Sequence, residues 1–417
     1  MNKKTKLWSF FAGLLVLSLL AAACAPAQTA QTPEVIEAGP LVTPPPGGGE
    51  EGDTITIGGA LSLTGIQAPL DEPAMRGAQL AVEEINKKGG VLGKQLEFVN
   101  LDGKSDPVTV GNVAVQLIDQ GADAIIAPSD FDMGGSASRE AQKAGLVGLS
   151  PAASSPLYGS EALGDKQFTM SMWNTTMGAA AAEYAYNEKG WRTVYVVTDT
   201  FIDYTKSLSR YFIEQFQTLD GEVLFEESYT QGAADFSAQL ARIQALEEMP
   251  DFFYISSYMP DLGLIIRTMR EAGIDTPIVG GDSYDDPGLF QALGPDYGND
   301  IIFTTHTWVS PDTSAQMAEF LAAHEAKYGG PPDAMWVATG WDAVNVLAKA
   351  MELAGSTDGA AMAKAMEGNT FDLLTGKLDW EPADKGHETH KEVAMVSLAG
   401  GTPSFIGWLL PASQPPP

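Results

Sequence analysis

The chain has 417 residues, with 54 acidic against 24 basic side chains and a formal net charge of −30 at pH 7. A surface this acidic repels nucleic acid and anionic lipid headgroups, so the folded part of the protein is not expected to bind either. Cys24 is the only cysteine, which excludes an intramolecular disulfide and catalysis by a second thiol.

Residues 1–23 have the pattern of a signal peptide. Lysines within the first six residues are followed by an uncharged, mostly apolar run over 7–20, which is shorter than the roughly 20 residues that span a membrane. Small residues precede Cys24 as in a bacterial lipobox, although Ala21 stands where a large aliphatic residue is usual. We expect export and lipid attachment at Cys24, which would anchor the protein on the outer face of the cell membrane. The alternative is an ordinary secretory signal with an unmodified cysteine.

Three further regions follow from composition. Residues 24–53 are rich in Pro, Gly, Thr and Ala, cannot bury enough surface to fold, and should form a tether. Residues 54–410 are too long for one compact core, so two domains are expected. Residues 411–417, which include three final prolines, are predicted to be a disordered tail.

After the tether, short β-branched runs alternate with amphipathic segments, which indicates parallel α/β sheets. In the first series the predicted strands are 54–61, 96–101, 122–127 and 147–149. The helices between them are predicted over 72–88, from Asp106-Pro107 onward, and over 136–144.

A second series of the same kind begins near Trp173. Its predicted helices are 177–189, 204–219, 236–245 and 262–272, and its strands are 193–198, 222–229, 252–255 and 277–280. Helices over 315–328 and 334–354 and late strands over 376–380, 393–398 and 405–408 complete the pattern. Each series can form its own doubly wound sheet.

Polar loops follow five predicted strands, where open parallel sheets bind their ligands. These loops are 128–136, 150–155, 199–204, 256–261 and 280–284. Their hydroxyls, tyrosines, helix-start amides and a carboxylate suit a small zwitterion. Turn formation and helix capping explain any one loop alone, but five such loops at strand ends favour a binding site.

Several segments, in this order and spacing, carry a family resemblance. They are Gly59-Ala60-Leu61-Ser62-Leu63-Thr64-Gly65, Arg76-Gly77-Ala78, Glu84-Ile85-Asn86-Lys87-Lys88-Gly89-Gly90, Ser150-Pro151-Ala152-Ala153-Ser154, Tyr328-Gly329-Gly330-Pro331-Pro332 and Gly340-Trp341-Asp342-Ala343. Over 54–408 the chain resembles the branched-chain amino-acid ABC transporter substrate-binding proteins, the leucine-binding type of the type I periplasmic binding protein family.

The resemblance implies an α/β, type I periplasmic-binding-protein fold with two doubly wound parallel-sheet lobes joined by three hinge crossings. We place the crossings near Trp173, Thr304 and Thr375. Lobe 1 then comprises 54–173 and 305–375, and lobe 2 comprises 174–304 and 376–410.

The resemblance also implies a function. The protein would be a monomeric extracytoplasmic solute-binding protein that delivers an amino acid or related small molecule to the permease of an ABC importer. It would not be an enzyme and would need no cofactor or metal.

At matching positions the resemblance suggests ligand contacts. The Ala152 carbonyl and the Ser154 hydroxyl and amide would hold the α-amino and α-carboxylate groups. Tyr204 and Tyr258 would reach across from the second lobe, and Asp282 would pair with the ligand ammonium.

Two positions depart from the family pattern. Phe131, flanked by Asp130 and Asp132, takes the place of a carboxylate-binding serine, and Leu70 replaces an aromatic that covers the ligand. Acids beside an expected ligand carboxylate are unfavourable. An amide, a cationic amino acid or an aromatic compound is therefore as open as a leucine-type ligand.

Two other functions remain open on the sequence. A ligand-sensing receptor component would share this fold. An exported hydrolase is the less favoured alternative, because no G-x-S-x-G motif occurs and His387-Glu388-Thr389-His390 is one residue short of the zincin spacing. We expect that histidine segment to be a solvated loop, and Met269, Met351 and Trp336 to be core residues.

Overall fold

The computed structural model describes residues 54–233 and 235–417. The predicted signal peptide, Cys24 and the tether lie outside the described residues. None of the helices in the described part is both long and apolar enough to span a membrane.

The first lobe is built on a five-stranded sheet in which all neighbouring strands are parallel, in the order β2-β1-β3-β4-β5. Its strands are β1 (Thr54–Gly59), β2 (Gln95–Asn100), β3 (Ala124–Ile126), β4 (Val147–Ser150) and β5 (Gln167–Thr169). Its first helices are α1 (Ala68–Lys87), α2 (Pro107–Asp119), α3 (Phe131–Ala144) and α4 (Ser160–Leu163). All residues of β3 and β4 are buried, as expected for parallel strands between two helical layers.

Side-chain caps determine where α2 and α3 begin. Asp106 accepts a hydrogen bond from the Thr109 amide at 2.7 Å and is followed by a proline, which cannot donate. Asp130 caps α3 in the same way through the Met133 amide at 2.8 Å. The structure therefore starts α3 at Phe131, five residues before the predicted start, since the following glycine pair does not break a capped helix.

Three more helices and a small sheet complete the first lobe. They are α10 (Ala315–Tyr328), α11 (Trp336–Ala354), α12 (Gly359–Glu367), β11 (Phe371–Leu373), β12 (Gly376–Trp380) and β13 (Thr389–His390). Helices α1 and α11 touch backbone to backbone: a Cβ on Gly77 would lie 1.9 Å from the Val337 carbonyl oxygen, and one on Gly340 would lie 1.8 Å from that of Ala74. The Gly77 and Gly340 positions thus permit the contact that attaches this late segment to the first lobe.

The third crossing lies later than predicted. We expected it near Thr375, with 376–410 in the second lobe. In the structure Leu378 and Trp380 belong to the first-lobe core together with Ile55 and Val344. The chain returns to the second lobe between β13 and Val393, because the apolar face of β12 is buried against first-lobe residues.

The second lobe has a seven-stranded sheet in the order β15-β14-β10-β9-β8-β6-β7. Its strands are β6 (Thr193–Asp199), β7 (Glu222–Tyr229), β8 (Phe252–Ser256), β9 (Ile278–Gly280), β10 (Ile301–Thr305), β14 (Val393–Ala399) and β15 (Thr402–Leu409). Its helices are α5 (Asn174–Glu183), α6 (Asp203–Thr218), α7 (Ser237–Gln244), α8 (Asp261–Glu271) and α9 (Pro287–Tyr297).

Two features of this sheet differ from the expectation. Strand β10 and helix α9 were not predicted, although β10 is buried throughout and lies between β9 and β14. The sheet is also mixed, since β14 runs antiparallel to β10 and β15 antiparallel to β14. The doubly wound parallel pattern holds for β6 to β10 only.

A buried lysine in the third crossing bonds to the chain just before the first crossing. Lys391, only 3% exposed, donates to the Met170 carbonyl at 3.0 Å and to the Thr375 hydroxyl at 2.8 Å. The Asp342 carboxylate accepts from the amides of Leu374 and Thr375. Burial lowers the pKa of Lys391 to about 7, and the charge of Asp342 opposes that shift.

The C-terminal segment is ordered against the protein, in contrast to the disordered tail predicted for 411–417. The amides of Ala412 and Ser413 donate to the Glu183 carboxylate at 2.9 and 3.3 Å. Gln414 accepts from the Thr176 hydroxyl at 2.7 Å and donates to Glu388 at 2.6 Å. These polar partners on α5 and beside β13, which composition does not reveal, hold the segment.

Candidate ligand-binding site

The loops after the parallel strands of the two lobes meet in one buried region. Leu70 and Ala152 of the first lobe share a hydrophobic cluster with Tyr204 and Tyr258 of the second. Trp336, at the start of α11, belongs to the same cluster. We call this region between the lobes the cleft.

Hydrogen bonds fix the loop that carries Ala152 and Ser154. The Ser150 hydroxyl donates to the Pro128 carbonyl at 2.8 Å and accepts from the Ala153 amide at 3.0 Å. The Ser154 carbonyl accepts from the Asn174 amide at 2.7 Å, across the first crossing. Both predicted contact residues of this lobe are thus buried at the junction with the second lobe.

The two predicted tyrosines lie together on the second-lobe wall. Their rings are edge to face with centroids 5.2 Å apart. The Tyr204 hydroxyl donates to the Ser283 hydroxyl at 3.3 Å. Burial, and next the charge of Asp282, raises the pKa of Tyr204 well above its usual value. Tyr204 therefore stays a neutral hydrogen-bonding group close to Asp282.

Asp282 is paired with a histidine that the sequence analysis did not place in the site. The two side chains are buried, and His306 Nε2 lies 2.9 Å from an Asp282 carboxylate oxygen. Burial lowers the pKa of His306, so the neutral ring donates through Nε2 and its Nδ1 is an acceptor without a partner among the described residues. Trp336, predicted to be a core residue, packs edge to face on this histidine, with the two ring centroids 5.6 Å apart. His306 follows β10 directly, so recognising that strand would have pointed to it.

Asp71 is a second residue that sequence reasoning missed. It is fully buried in α1 and accepts from the amides of Ser62 and Ser129, each at 2.9 Å. Burial raises its pKa to about 7. The carboxylate joins the loops after β1 and β3 and so shapes the first-lobe wall of the cleft.

Phe131, predicted to contact the ligand, does not lie with the other predicted contact residues in the cleft. Its ring is partly buried and packs against a hydrophobic cluster of the first lobe, with the Arg139 guanidinium carbon 5.6 Å from the ring centroid. Gap-free counting from the Ser-Pro-Ala-Ala-Ser segment assigns a position but not a side-chain direction. The neighbouring residue Asp130, in contrast, is buried, with only 3% of its surface exposed.

Direct hydrogen bonds also join the lobes. The Asp203 amide, at the start of α6, donates to the Asp132 carboxylate at 2.8 Å, and the Ser155 hydroxyl bonds to the Asp203 carboxylate. Asp132 thus faces the second lobe. A cavity of about 390 Å³ opens beside these contacts and is lined by Trp173 and Lys385 among others. It includes none of the predicted contact residues.

No group of three or more metal-binding side chains occurs among the described residues. The segment His387 to His390 is not the solvated loop we expected. His387 is buried, stacks on Phe168 at 4.1 Å and lies 3.0 Å from the Gln167 carbonyl oxygen. His390 is exposed and lies 2.7 Å from Asp379. The two rings serve separate structural contacts.

Comparison with known proteins gives one consistent result. Residues 54–402 match the family model described as periplasmic binding protein. The leucine-, isoleucine-, valine-, threonine- and alanine-binding protein of Pseudomonas aeruginosa is 26% identical over 355 residues, which cover 83% of this chain and 92% of that protein.

Two solved structures extend the comparison. The branched-chain amino acid transporter substrate binding protein LivJ of Streptococcus pneumoniae, in complex with isoleucine, has a TM-score of 0.78 and 28% identity, covering 86% of this chain and 100% of that one. An ABC transporter solute binding protein of R. palustris in complex with benzoate has a TM-score of 0.74 and 25% identity, covering 87% and 98%. With the family model matched over nearly all the described residues, the chain belongs to the periplasmic binding protein family and has the type I fold predicted from its sequence.

Proposed function

We propose that the protein is a monomeric solute-binding protein that captures a small amino-acid-like molecule in the cleft and delivers it to the permease of an ABC importer. The observation that carries this proposal is that Ala152 of the first lobe shares a buried cluster with Tyr204 and Tyr258 of the second. Ser154 and Asp282, from neighbouring loops of the two lobes, are buried as well. Relatives of this family act outside the cytoplasm, and so does this chain. The site serves binding, and we propose no catalytic step.

The chemistry of the cleft supports a small polar ligand with an apolar part. Tyr204, Tyr258, Leu70 and Trp336 offer apolar and aromatic surface, while the Asp282 carboxylate offers a charged acceptor. Polar groups in an otherwise apolar pocket orient a ligand and give specificity.

Ligand entry requires the lobes to separate. The cleft residues are buried in the described conformation, so it corresponds to a closed form. Hinge closure around ligand is a motion documented for periplasmic binding proteins. Here the three crossings and the bonds of Lys391 to Met170 and Thr375 would carry the hinge.

The test is a ligand screen followed by scattering. Thermal-shift measurements over amino acids, amides, polyamines and aromatic acids should identify a ligand, and calorimetry should confirm one site per chain. Small-angle scattering should then show a smaller radius of gyration with the ligand than without it. No stabilisation by any of these classes would contradict the proposal.

Lipid anchoring through Cys24 is a separate part of the proposal. Diacylation of the cysteine together with a further acyl chain exceeds the two signals needed for stable membrane attachment. Cys24→Ser should move the protein from the membrane to the soluble fraction of cells. Equal partitioning of wild type and variant would leave an ordinary secretory signal as the explanation.

A further inference from the structure

Residues 411–417 are attached first to the second lobe. The amides of Ala412 and Ser413 donate to the Glu183 carboxylate of α5 at 2.9 and 3.3 Å. The side-chain amide of Gln215, on α6, donates to the Ser413 hydroxyl at 3.0 Å and to Glu183 at 3.2 Å. Glu183 is buried, with 8% of its surface exposed. These bonds hold the beginning of the segment on the second lobe.

Gln414 connects the two lobes. Its side-chain oxygen accepts from the Thr176 hydroxyl at 2.7 Å, and its side-chain nitrogen donates to the Glu388 carboxylate at 2.6 Å. Thr176 belongs to α5 of the second lobe. Glu388 directly precedes β13, which pairs with β12 of the first lobe, and its carbonyl accepts from the Glu381 amide at 2.8 Å. One side chain is thus bonded to both lobes.

Pro417 lies at the junction of the lobes as well. It lines the cavity of about 390 Å³ together with Lys385 of the first lobe and Tyr211 of the second. The segment 411–417 therefore begins on the second lobe and contacts the first lobe at Glu388 and again beside this cavity.

From these contacts we propose that residues 411–417 act as a strap that favours the closed arrangement of the lobes. Opening the cleft moves one lobe relative to the other, so a segment bonded to both must lose its partners on one of them. The partners on the second lobe are more numerous and include the buried Glu183, so the strap stays there and releases Glu388. The strap acts on the ligand-free protein, and the proposal therefore goes beyond ligand capture.

One backbone amide reports the opening without any ligand. The Asp203 amide, at the start of α6, has its acceptor in the other lobe, the Asp132 carboxylate at 2.8 Å. It should exchange with solvent deuterium when the lobes separate. The Thr109 amide has a carboxylate partner of the same kind, Asp106, within the first lobe at 2.7 Å. Its exchange rate is the internal control for local opening.

Gln414→Glu breaks the connection between the lobes and keeps the attachment to the second lobe. The new carboxylate still accepts from the Thr176 hydroxyl, but it cannot donate to Glu388 and meets its like charge. Hydrogen exchange resolved to single residues should become about threefold to tenfold faster at Asp203, as expected for the loss of one hydrogen bond to a carboxylate. Exchange at Thr109 should not change.

Two further variants separate the contact from the added charge. Glu388→Lys, introduced together with Gln414→Glu, places a cation opposite the new carboxylate and should return exchange at Asp203 to within about twofold of wild type. Gln217→Glu adds the same charge at an exposed position of α6 and should leave exchange at Asp203 unchanged. Thermal denaturation shows whether each variant is folded.

Removal of residues 411–417 is an independent measurement. The shortened protein, without ligand, should have a larger radius of gyration than wild type in small-angle scattering. An equal radius of gyration would overturn the proposal. Unchanged exchange at Asp203 in a folded Gln414→Glu would also overturn it, and so would faster exchange that Glu388→Lys fails to reverse. None of these measurements involves a ligand, so the ligand screen tests the proposed function separately.

Discussion

Replacing Asp282 by Asn should weaken ligand binding while leaving the fold intact. The substitution removes one charge without changing shape, and the asparagine oxygen can still accept from His306 Nε2, now 2.9 Å from the carboxylate. A ligand nitrogen cation about 3 Å from the carboxylate gains about 5 kcal/mol at an effective dielectric constant of about 20, before desolvation. Measured losses for such pairs are about 2 to 5 kcal/mol. Since His306 shares one carboxylate oxygen, we expect the lower part of that range, about 30- to 300-fold in Kd.

The assay is calorimetric titration at pH 8 of the tightest ligand from the screen, with thermal denaturation of the free proteins alongside. Asp285→Asn is the matched control, because its carboxyl group accepts from the Thr305 hydroxyl at 2.8 Å and an asparagine can keep that bond. The control should bind within about threefold of wild type. Asp282→Asn with wild-type affinity would remove this carboxylate from ligand binding and refute the role assigned to it.

Three further outcomes follow from the structure. Lys391→Met should lower the free energy of unfolding in urea by about 1 to 3 kcal/mol, because it leaves the buried Met170 carbonyl and Thr375 hydroxyl without their donor. Burial raises the pKa of Asp71 to about 7 from an unfolded value of 3.8, so the folded protein binds more protons between these values and its stability increases as pH falls. The melting temperature should therefore be higher at pH 5 than at pH 7. For one such group the gain in the free energy of unfolding is on the order of 2 kcal/mol, and a lower melting temperature at pH 5 would contradict this. Gly77→Ala should destabilise the protein by about 1 to 3 kcal/mol or more in urea because its Cβ meets a backbone oxygen at 1.9 Å, whereas Gly111→Ala, with 3.7 Å to its nearest neighbour, should be neutral or stabilising.

Periodicity and strand-end chemistry predicted much of the cleft. Strands with β-branched runs were located to within a few residues, and in parallel sheets their carboxyl ends share one edge. That reasoning, with the family resemblance, selected Ala152, Ser154, Tyr204, Tyr258 and Asp282, and all five are buried where the lobes meet. Their contacts with a ligand remain predictions.

The misses share a physical cause, which is that pairing between distant residues leaves little local signal. His306 bonds to a residue 24 positions earlier, and Asp71 binds an amide 58 positions away. Strand β10 is short, and its burial depends on β9 and β14. The direction of Phe131 depends on α3 beginning there, since a first-turn side chain leans along the helix axis.

The hydrogen bonds of Asp203 to Asp132 and Ser155 join the two lobes directly and can form without a ligand. Two bonds of about 1 kcal/mol each would favour the shut form of the empty protein by about 30-fold relative to lobes without them. Less of the ligand's binding free energy is then needed to close the lobes. Under the proposed function, the same bias would increase the share of closed but empty molecules that meet the importer, so stronger bonds between the lobes would make closure a poorer signal of a bound ligand.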